Sequence, residues 1–318
     1  MNRSLITTAL AALLSFTGCA HSLPRSGAAA ARAPGFALPL LALSGAGRRV
    51  CAVDYADPVQ CMYIDGGRTN VVDVPGTEGA IDVVVTETRG CALFGSGVVA
   101  CFGWDDDGTT HAALVPGLDD AFEVAVSDAL VCGRSESGHV RCARHDEPAV
   151  DVRELAGAAE VAVYGSRGCA RTGDGEVWCW TAASPIAARV PELGGVVSLA
   201  GGASGLFAMT SAGELLRLDD WGTPEWRFGT PVGSFAGGQR IAVGPGGACA
   251  ETTRHETLCW SATSGRITQI DRLDDARELV MGDRFACGVS SDGAMHCAAL
   301  GVDALHARAT HGRLAASF

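Results

Sequence analysis

Short apolar alternations recur along this chain at intervals of about 40 residues. Each one starts at an apolar position, and the position two residues later is again apolar or glycine. The starting positions are Leu43, Val83, Val124, Val161, Leu199, Ile241 and Leu279. Alternation with a period of two predicts a short β-strand. The pattern therefore predicts an all-β chain of seven copies, and a repeat of this length indicates a solenoid, a propeller or an array.

Six cysteine pairs fall inside these copies, and the two cysteines of each pair are ten residues apart. The pairs are Cys51 and Cys61, Cys91 and Cys101, Cys132 and Cys142, Cys169 and Cys179, Cys249 and Cys259, and Cys287 and Cys297. The remaining copy carries Phe207 and Arg217 at the corresponding positions. Five copies have a glycine six residues after the first cysteine position, and glycine readily adopts the positive φ that a short hairpin turn requires. This turn places the paired positions directly opposite each other, about 4.5–5.5 Å apart, within reach of a disulfide.

The cysteine pairs therefore predict six disulfides, each inside one copy. Zinc ligation is the alternative for regularly spaced cysteines. Zinc sites use close pairs such as C-x₂₋₄-C with four converging ligands, however, and a hairpin of this length does not bring four sulfurs together. Because disulfides persist outside the cytosol, the pairs also predict an exported protein.

Each copy is interpreted as an inner strand, a disulfide-linked hairpin and an outer strand. Four-stranded sheets repeated seven times around an axis form a β-propeller. We place the propeller at residues 36–318, with copies at about 40–75, 80–116, 121–157, 158–193, 196–233, 238–273 and 276–312. Two routes could close the ring: the last copy could borrow a strand from residues 36–41, or complete itself from residues 306–318.

Residues 165–180 resemble the repeat of the regulator of chromosome condensation family, which runs roughly G-x-x-H-T-x-A-L-x-x-D-G-x-V-x-x-W-G. Residues 202–217 and 282–297 match it in the same places, and the resemblance covers about residues 36–312. It implies a seven-bladed propeller of that type. The histidine of the repeat and the N-x-x-G-Q-L-G motif of the family are absent here, so the resemblance supports the fold more than any activity.

Residues 1–18 are interpreted as a lipoprotein signal peptide. They combine a basic start at Arg3, a short apolar run and the sequence Thr17-Gly18-Cys19 at the end. The end resembles a bacterial lipoprotein processing site, which would leave Cys19 as a lipidated first residue; an ordinary secretory peptide is the alternative. Residues 19–35, rich in Ala, Ser and Pro, then form a flexible tether. Ala20 is not acidic, which favours the outer membrane.

Charge and composition narrow the classes of partner. The net charge is −12, and all 24 basic residues are arginines. An acidic exported chain is poorly suited to nucleic acid, because neutralisation of phosphates dominates that affinity. No catalytic motif, phosphate loop or metal-binding motif is present. We expect no cofactor, no metal and no catalytic residue, and a monomer that contacts the membrane only through its lipid.

Two loops are the candidate binding residues. The first has Trp104 followed by Asp105, Asp106 and Asp107, and the second carries Trp221 and Trp226. Calcium is an alternative for the acidic loop, but calcium loops alternate their oxygen ligands and usually end in a glutamate, so we favour a solvated turn. Tryptophan is enriched at binding hot spots. For Trp180 and Trp260 we expect packing between blades instead.

The combined interpretation is a non-enzymatic envelope lipoprotein whose propeller face binds a protein or a surface glycan. The resemblance adds a protein inhibitor of a secreted or periplasmic enzyme, since bacterial members of that family bind β-lactamases. It also implies guanine-nucleotide exchange, which we discount because GTPases are cytosolic. An envelope hydrolase with its site at the channel is the competing class. Two carboxylates at the channel mouth would favour the hydrolase, and an apolar-aromatic patch would favour binding.

The Cys19→Ser substitution tests the lipid anchor. We expect it to release the protein from membranes while the propeller still folds, because Cys19 lies outside the repeats. Fractionation of envelopes followed by immunoblotting measures the change. A variant that still sediments with the envelope would contradict the lipoprotein interpretation.

Overall fold

The computed structural model describes residues 40–54, 57–65, 68–105, 108–144, 147–191, 193–218 and 228–300. Within them the chain forms seven antiparallel sheets in sequence order, each built from consecutive strands. The first strand of every sheet lines a central channel. The chain is thus a seven-bladed β-propeller, as the repeat predicted. The one helical element among the described residues is a short 3₁₀ turn, Asp271–Leu273.

The strands of the first four blades follow one another without crossovers. Blade 1 has β1 (Leu40–Ala46), β2 (Arg49–Asp54), β3 (Gln60–Asp65) and β4 (Arg68–Asp73). Blade 2 has β5 (Ala80–Val85), β6 (Arg89–Phe94), β7 (Val99–Asp105), β8 (Gly108–Thr109) and β9 (Ala113–Leu114). Blade 3 has β10 (Ala121–Val126), β11 (Val131–Ser135), β12 (Val140–Ala143) and β13 (Val150–Asp151). Blade 4 has β14 (Ala158–Tyr164), β15 (Arg167–Thr172), β16 (Val177–Thr181) and β17 (Ser184–Arg189).

The last three blades continue the same order. Blade 5 has β18 (Val196–Gly202), β19 (Gly205–Thr210), β20 (Glu214–Leu218) and β21 (Phe228–Ser234). Blade 6 has β22 (Gly238–Gly244), β23 (Gly247–Thr252), β24 (Thr257–Ser261) and β25 (Ile267–Gln269). Blade 7 has β26 (Glu278–Met281), β27 (Phe285–Val289) and β28 (Met295–Ala299). Blade 7 is therefore three-stranded within the described residues.

Six disulfides join the second and third strands of their blades, and they confirm every predicted pair. The two cysteines of each pair are direct partners in the strand register. Their Cα atoms lie 3.9 to 4.1 Å apart, closer than the expected separation of about 4.5–5.5 Å. The bonds join Cys51 to Cys61, Cys91 to Cys101, Cys132 to Cys142, Cys169 to Cys179, Cys249 to Cys259 and Cys287 to Cys297.

Blade 5 has no disulfide at this register position. Phe207 and Arg217 are the facing residues there. Phe207 is only 1% exposed, so its ring occupies the interior at the place where the other blades have sulfur.

The glycines of the hairpin turns adopt the positive φ that their position predicted. Gly97, Gly138, Gly175, Gly213 and Gly293 have φ between 81° and 85°. In blade 6 the same place is taken by His255, with φ 61°. At Gly138 an added Cβ would lie 2.8 Å from the backbone nitrogen of Ala158, where the next blade begins. Glycine is required there both for its backbone conformation and for the close approach of the next blade.

Apolar clusters lie between blades and hold the ring together. Trp180, at 1% exposure, packs between blades 3 and 4, and Trp260 packs between blades 5 and 6, as expected for both. A Cβ on Gly168 would overlap the Trp180 ring, so the glycine lets the indole lie flat across its neighbour strand. The disulfide between Cys169 and Cys179 belongs to the next cluster, between blades 4 and 5.

The ring closes by contact between blade 1 and blade 7. Leu40 and Leu41 form the start of β1, whose strand ladder is with β2 of its own blade, and the Leu40 N–H also donates to the Gly293 carbonyl of blade 7 at 3.3 Å. The other residues of both predicted closure routes lie outside the described part of the chain. Apolar residues of β1 and β27 share one cluster. The Asp283 N–H also donates to the Gly47 carbonyl at 2.8 Å.

Gly138→Ala tests the turn requirement, with Gly265→Ala as its control. Both glycines have positive φ, but a Cβ at Gly265 meets no atom within 4 Å. We expect the control to lose about 1 kcal/mol of unfolding free energy from backbone strain, and Gly138→Ala to lose at least about 1 kcal/mol more, because the next blade must shift. Chemical denaturation measures both. Equal losses would contradict a role for the blade contact.

Candidate functional site

The innermost strands β1, β5, β10, β14, β18, β22 and β26 surround the channel, which has two mouths. We call the mouth at which these strands begin the upper mouth, and the mouth at which they turn into the second strands the lower mouth. A cavity of about 600 Å³ extends from the middle of the strands to the lower mouth and is lined by all seven blades. Most of its lining residues are valine, alanine and glycine, and Glu87 and Asp128 are its charged residues. The lower mouth thus has fewer ionisable side chains than the upper mouth.

The upper mouth is different, because one repeat position places a side chain from every blade around it. The position lies nine residues before the first cysteine position of each copy. It is occupied, from blade 1 to blade 7, by Ala42, Asp82, Glu123, Glu160, Ser198, Arg240 and Glu278. We call these residues the upper ring. Five of the seven are ionisable, so charge is concentrated at this mouth.

Three members of the upper ring form ion pairs with the adjacent strand of their own blade. The Arg134 Nε donates to a Glu123 carboxylate oxygen at 2.5 Å, and an Arg171 nitrogen pairs with Glu160 at 3.0 Å. These partners face each other in the strand register. Blade 6 reverses the pair, with Arg240 on the inner strand 2.5 Å from a carboxylate oxygen of its partner on β23, Glu251. The charges of blades 3, 4 and 6 are therefore compensated within the blade.

The glutamates of the upper ring also join neighbouring blades. The Leu199 N–H of blade 5 donates to Glu160 at 2.9 Å. The Leu43 N–H of blade 1 donates to Glu278 of blade 7, also at 2.9 Å. Each bond satisfies a backbone donor at the start of the next innermost strand. The carboxyl of Glu278 consequently contributes to the closure of the ring.

Asp82 and Glu278 are the two acids of the upper ring without an arginine in register. Asp82 lies opposite Leu93, and Glu278 lies opposite Val289. Among the described residues no basic group forms an ion pair with either. Burial raises the pKa of Asp82 to about 6. Burial first, and then the charge of Asp82, raise the pKa of Glu278 to about 8.

A pocket of about 500 Å³ opens between these two acids, and we call it the upper pocket. Blades 6, 7, 1 and 2 line it. Its charged lining residues are Asp82, Glu278, Arg240, Glu251 and Arg277, and its apolar wall includes Leu41 and Ile81. Asp82 is deep in the protein, yet part of its surface remains accessible from the pocket. A ligand in the pocket would therefore reach both acids.

Two large apolar side chains project at the rim of the upper mouth. Ile81 of blade 2 is 48% exposed, and Phe122 of blade 3 is 62% exposed. They occupy the same repeat position, one residue before the upper ring. The Arg134 guanidinium lies 5.2 Å from the centre of the Phe122 ring. An apolar rim thus borders the charged upper pocket on neighbouring, rigid strands.

Trp104 is placed away from the upper mouth. It is half-buried near the end of β7 and packs against the cluster between blades 1 and 2. The Arg49 guanidinium lies 4.5 Å from its ring centre, and Phe102 contacts it edge-on at 5.4 Å. These contacts cover much of the indole, so a packing role accounts for this tryptophan.

The binding role of the other candidate residues stays a prediction. Asp105 ends β7, and Asp106, Asp107, Trp221 and Trp226 lie outside the described residues, as Cys19 does. The described residues contain no group of three or more potential metal ligands. No helix among them is long and apolar enough to cross a membrane.

Sequence reasoning missed Asp82 and Glu278, although a signal existed. Aligning the copies on their cysteines places acids at the same position in blades 2, 3, 4 and 7. The arginine two residues after the first cysteine is present in blades 3 and 4 but is replaced by Leu93 and Val289 in blades 2 and 7. In the aligned copies, an acid at the upper-ring position with no arginine two residues after the first cysteine indicates a carboxyl group without an ion-pair partner in its own blade.

Comparison with known proteins identifies only structural relatives. No protein-family model and no curated protein matches the chain. Yeast RCC1 (Prp20), in its complex with Kap60, has a TM-score of 0.55 at 13% identity, with 83% of this chain and 81% of that chain covered. The CRINKLY WD40 ectodomain of the Arabidopsis thaliana receptor kinase ACR4 has a TM-score of 0.53 at 18% identity, with 83% and 95% covered.

A bacterial surface protein is also similar. PorZ, a component of the type-IX secretion system of Porphyromonas gingivalis, has a TM-score of 0.59 at 12% identity, and the match covers 83% of this chain but only 37% of PorZ. Sequence identities this low support a shared fold but give no information about a shared activity. Together with the seven sheets and their disulfides, the comparisons show that the chain has an RCC1-like seven-bladed propeller fold.

Proposed function

We propose that this protein is an exported, non-enzymatic binding module that contacts a protein partner with its upper mouth. Six disulfides support export, because such bonds are rarely maintained in the cytosol. Lipidation at Cys19 would hold the module at the bacterial envelope, on the outer membrane. The tether of residues 19–35 would leave the propeller free to meet its partner.

The exposure of Ile81 and Phe122 is the observation that carries the proposal. The two residues share a repeat position on adjacent blades, and large exposed apolar side chains grouped on one face mark interaction surfaces more often than scattered ones do. Both residues lie on innermost strands of the propeller. Because the strands already fix their backbone, little conformational entropy is lost when a partner binds. Aromatic residues and arginine dominate binding hot spots, and here Arg134 lies over the Phe122 ring.

A protein partner is better supported than a glycan. Ile81 adds an aliphatic side chain to the rim, and the arginine guanidinium occupies one face of the Phe122 ring. A sugar would need an open aromatic face, whereas an apolar protein side chain can pack against the ring edge and Ile81 together.

A hydrolase is the second candidate, favoured by Asp82 and Glu278. Two carboxyl groups at the channel mouth with pKa values of about 6 and about 8 resemble the base and acid of a hydrolytic site. Glu278 already accepts the Leu43 N–H that joins blades 7 and 1, which supplies a structural reason for its presence. Turnover of an envelope polysaccharide that disappears in Asp82→Asn would establish the hydrolase instead.

Capture from the surface and secreted proteins of the host tests the binding proposal. The full chain with Cys19→Ser, made in an oxidising compartment, serves as bait. We expect a specific protein to be retained, and the double variant Ile81→Ser/Phe122→Ser to bind it at least tenfold more weakly, about 1.4 kcal/mol or more. If the partner is an enzyme whose activity falls on binding, the module is an inhibitor.

Leu114→Ser is the matched control. Leu114 is 69% exposed on the outer strand β9, away from the upper mouth, so its loss should leave the affinity unchanged. Equal binding by the double variant and the parent would contradict the use of the upper mouth. Retention of a polysaccharide without any protein would assign a glycan ligand.

A further inference from the structure

We propose that the upper pocket accepts a basic side chain, arginine or lysine, of the protein partner. The inference rests on the proposed function, since it names the chemistry by which the upper mouth would recognise that partner. Its basis is a comparison of the seven blades at the upper ring, together with the shape of the upper pocket.

The blades show how this fold compensates an acid at the upper ring. In blades 3 and 4 an arginine two residues after the first cysteine reaches the acid from β11 or β15. In blades 2 and 7 that position is Leu93 or Val289, which are 2% and 0% exposed. A cation is therefore missing from blades 2 and 7, and the upper pocket lies beside these two acids.

The arginines already in the upper pocket do not supply that cation. Arg240 forms its ion pair with Glu251. Arg277 donates to the Leu40 carbonyl. Both arginines lower the pKa of Glu278, but they are the weakest of its influences, after burial, Asp82 and the Leu43 N–H. Two deep carboxyl groups therefore remain without an ion-pair partner among the described residues.

The pocket has the size and lining that a long basic side chain requires. Its volume of about 500 Å³ lies within the range of small-ligand pockets. Leu41 and Ile81 form an apolar wall against which the methylene stem can lie, while the charged head reaches Asp82 and Glu278. The net charge of −12 attracts basic partners over longer distances.

Binding of a cation is expected to release a proton. At neutral pH Glu278 is mostly protonated, because its pKa is about 8, and a nearby cation favours the ionised form. The affinity for the cation therefore rises with pH until Glu278 is ionised in the free protein as well. The neighbouring groups that set this titration are Asp82, Arg240, Glu251 and Arg277.

Calorimetry with a blocked tripeptide tests the inference without the natural partner. The probe is acetyl-Ala-Arg-Ala-amide, and the same peptide with citrulline is the neutral isostere. We expect the arginine peptide to bind the full chain with Cys19→Ser at least tenfold more tightly than the citrulline peptide does at pH 8.5. We also expect its affinity to fall at least fivefold at pH 6, with proton release detected by changing the buffer.

Three variants locate the binding. Asp82→Asn and Glu278→Gln should each lower the affinity for the arginine peptide at least fivefold. Glu278→Gln should also remove most of the pH dependence of that affinity. Glu278→Gln keeps an acceptor for the Leu43 N–H, so the ring should still close. Glu160→Gln is the matched control: it removes a carboxylate at the same repeat position, but one that is paired with Arg171, and it should bind as the parent does.

Thermal unfolding tests the premise that Glu278 is protonated in the folded protein. Its pKa is raised from 4.5 to about 8, so between these values the folded state holds a proton that the unfolded state has lost. Stability should therefore fall as pH rises through this range. We expect Tm to drop by at least about 3 °C more for the parent than for Glu278→Gln between pH 5 and pH 8.5.

The results separate the two proposals. Equal binding of the arginine and citrulline peptides, no binding of either, or identical pH profiles of Tm for parent and Glu278→Gln would overturn the cation pocket. Each of these outcomes leaves the capture experiment with Ile81 and Phe122 to decide whether the upper mouth binds a protein at all.

Discussion

Every blade of this propeller has two apolar faces, and only its neighbours can cover them. This requirement determines what each repeat position can hold. The paired cysteines lie directly opposite each other on the second and third strands, and most of them are buried in the clusters between blades. In blade 4 a large ring lies next to the disulfide in the strand, and the residue that faces it is small, as Gly168 faces Trp180. The disulfides therefore cross-link the hairpins and also fill the interior.

The same ring geometry produces the candidate site. Because each blade contributes one side chain at the same level along the channel axis, the seven residues of one repeat position form a ring around the channel. The backbone is close to symmetric, but the side chains are not. Glu123 and Glu160 receive arginines within their blades, Arg240 reverses the pair, and Asp82 and Glu278 receive none from the strand that faces them. The asymmetry concentrates uncompensated acid at one sector of the upper mouth, where the upper pocket opens.

The residues that stand out in the sequence differ from those of the structural site for a physical reason. Tryptophan stood out in the sequence because it is rare and favours interfaces, yet Trp104 is half-covered by Arg49 and Phe102. Asp82 and Glu278 looked like ordinary strand acids. Their burial, and the absence of an arginine opposite, depend on which residues face them across the strand register, so only an alignment of the copies could have suggested them.

The sequence by itself determined the features that depend on neighbours within about ten residues. The repeat, the turn glycines such as Gly175 and the cysteine pairs follow from local backbone geometry, and all of them agree with the structure. The tertiary structure alone decided the site. Asp82 in blade 2 and Glu278 in blade 7 come together only because the ring closes through contacts between β1 and blade 7. The ionisation of each carboxyl group then depends on its burial and on the charge of the other acid. Both are properties of the folded ring and not of either strand alone.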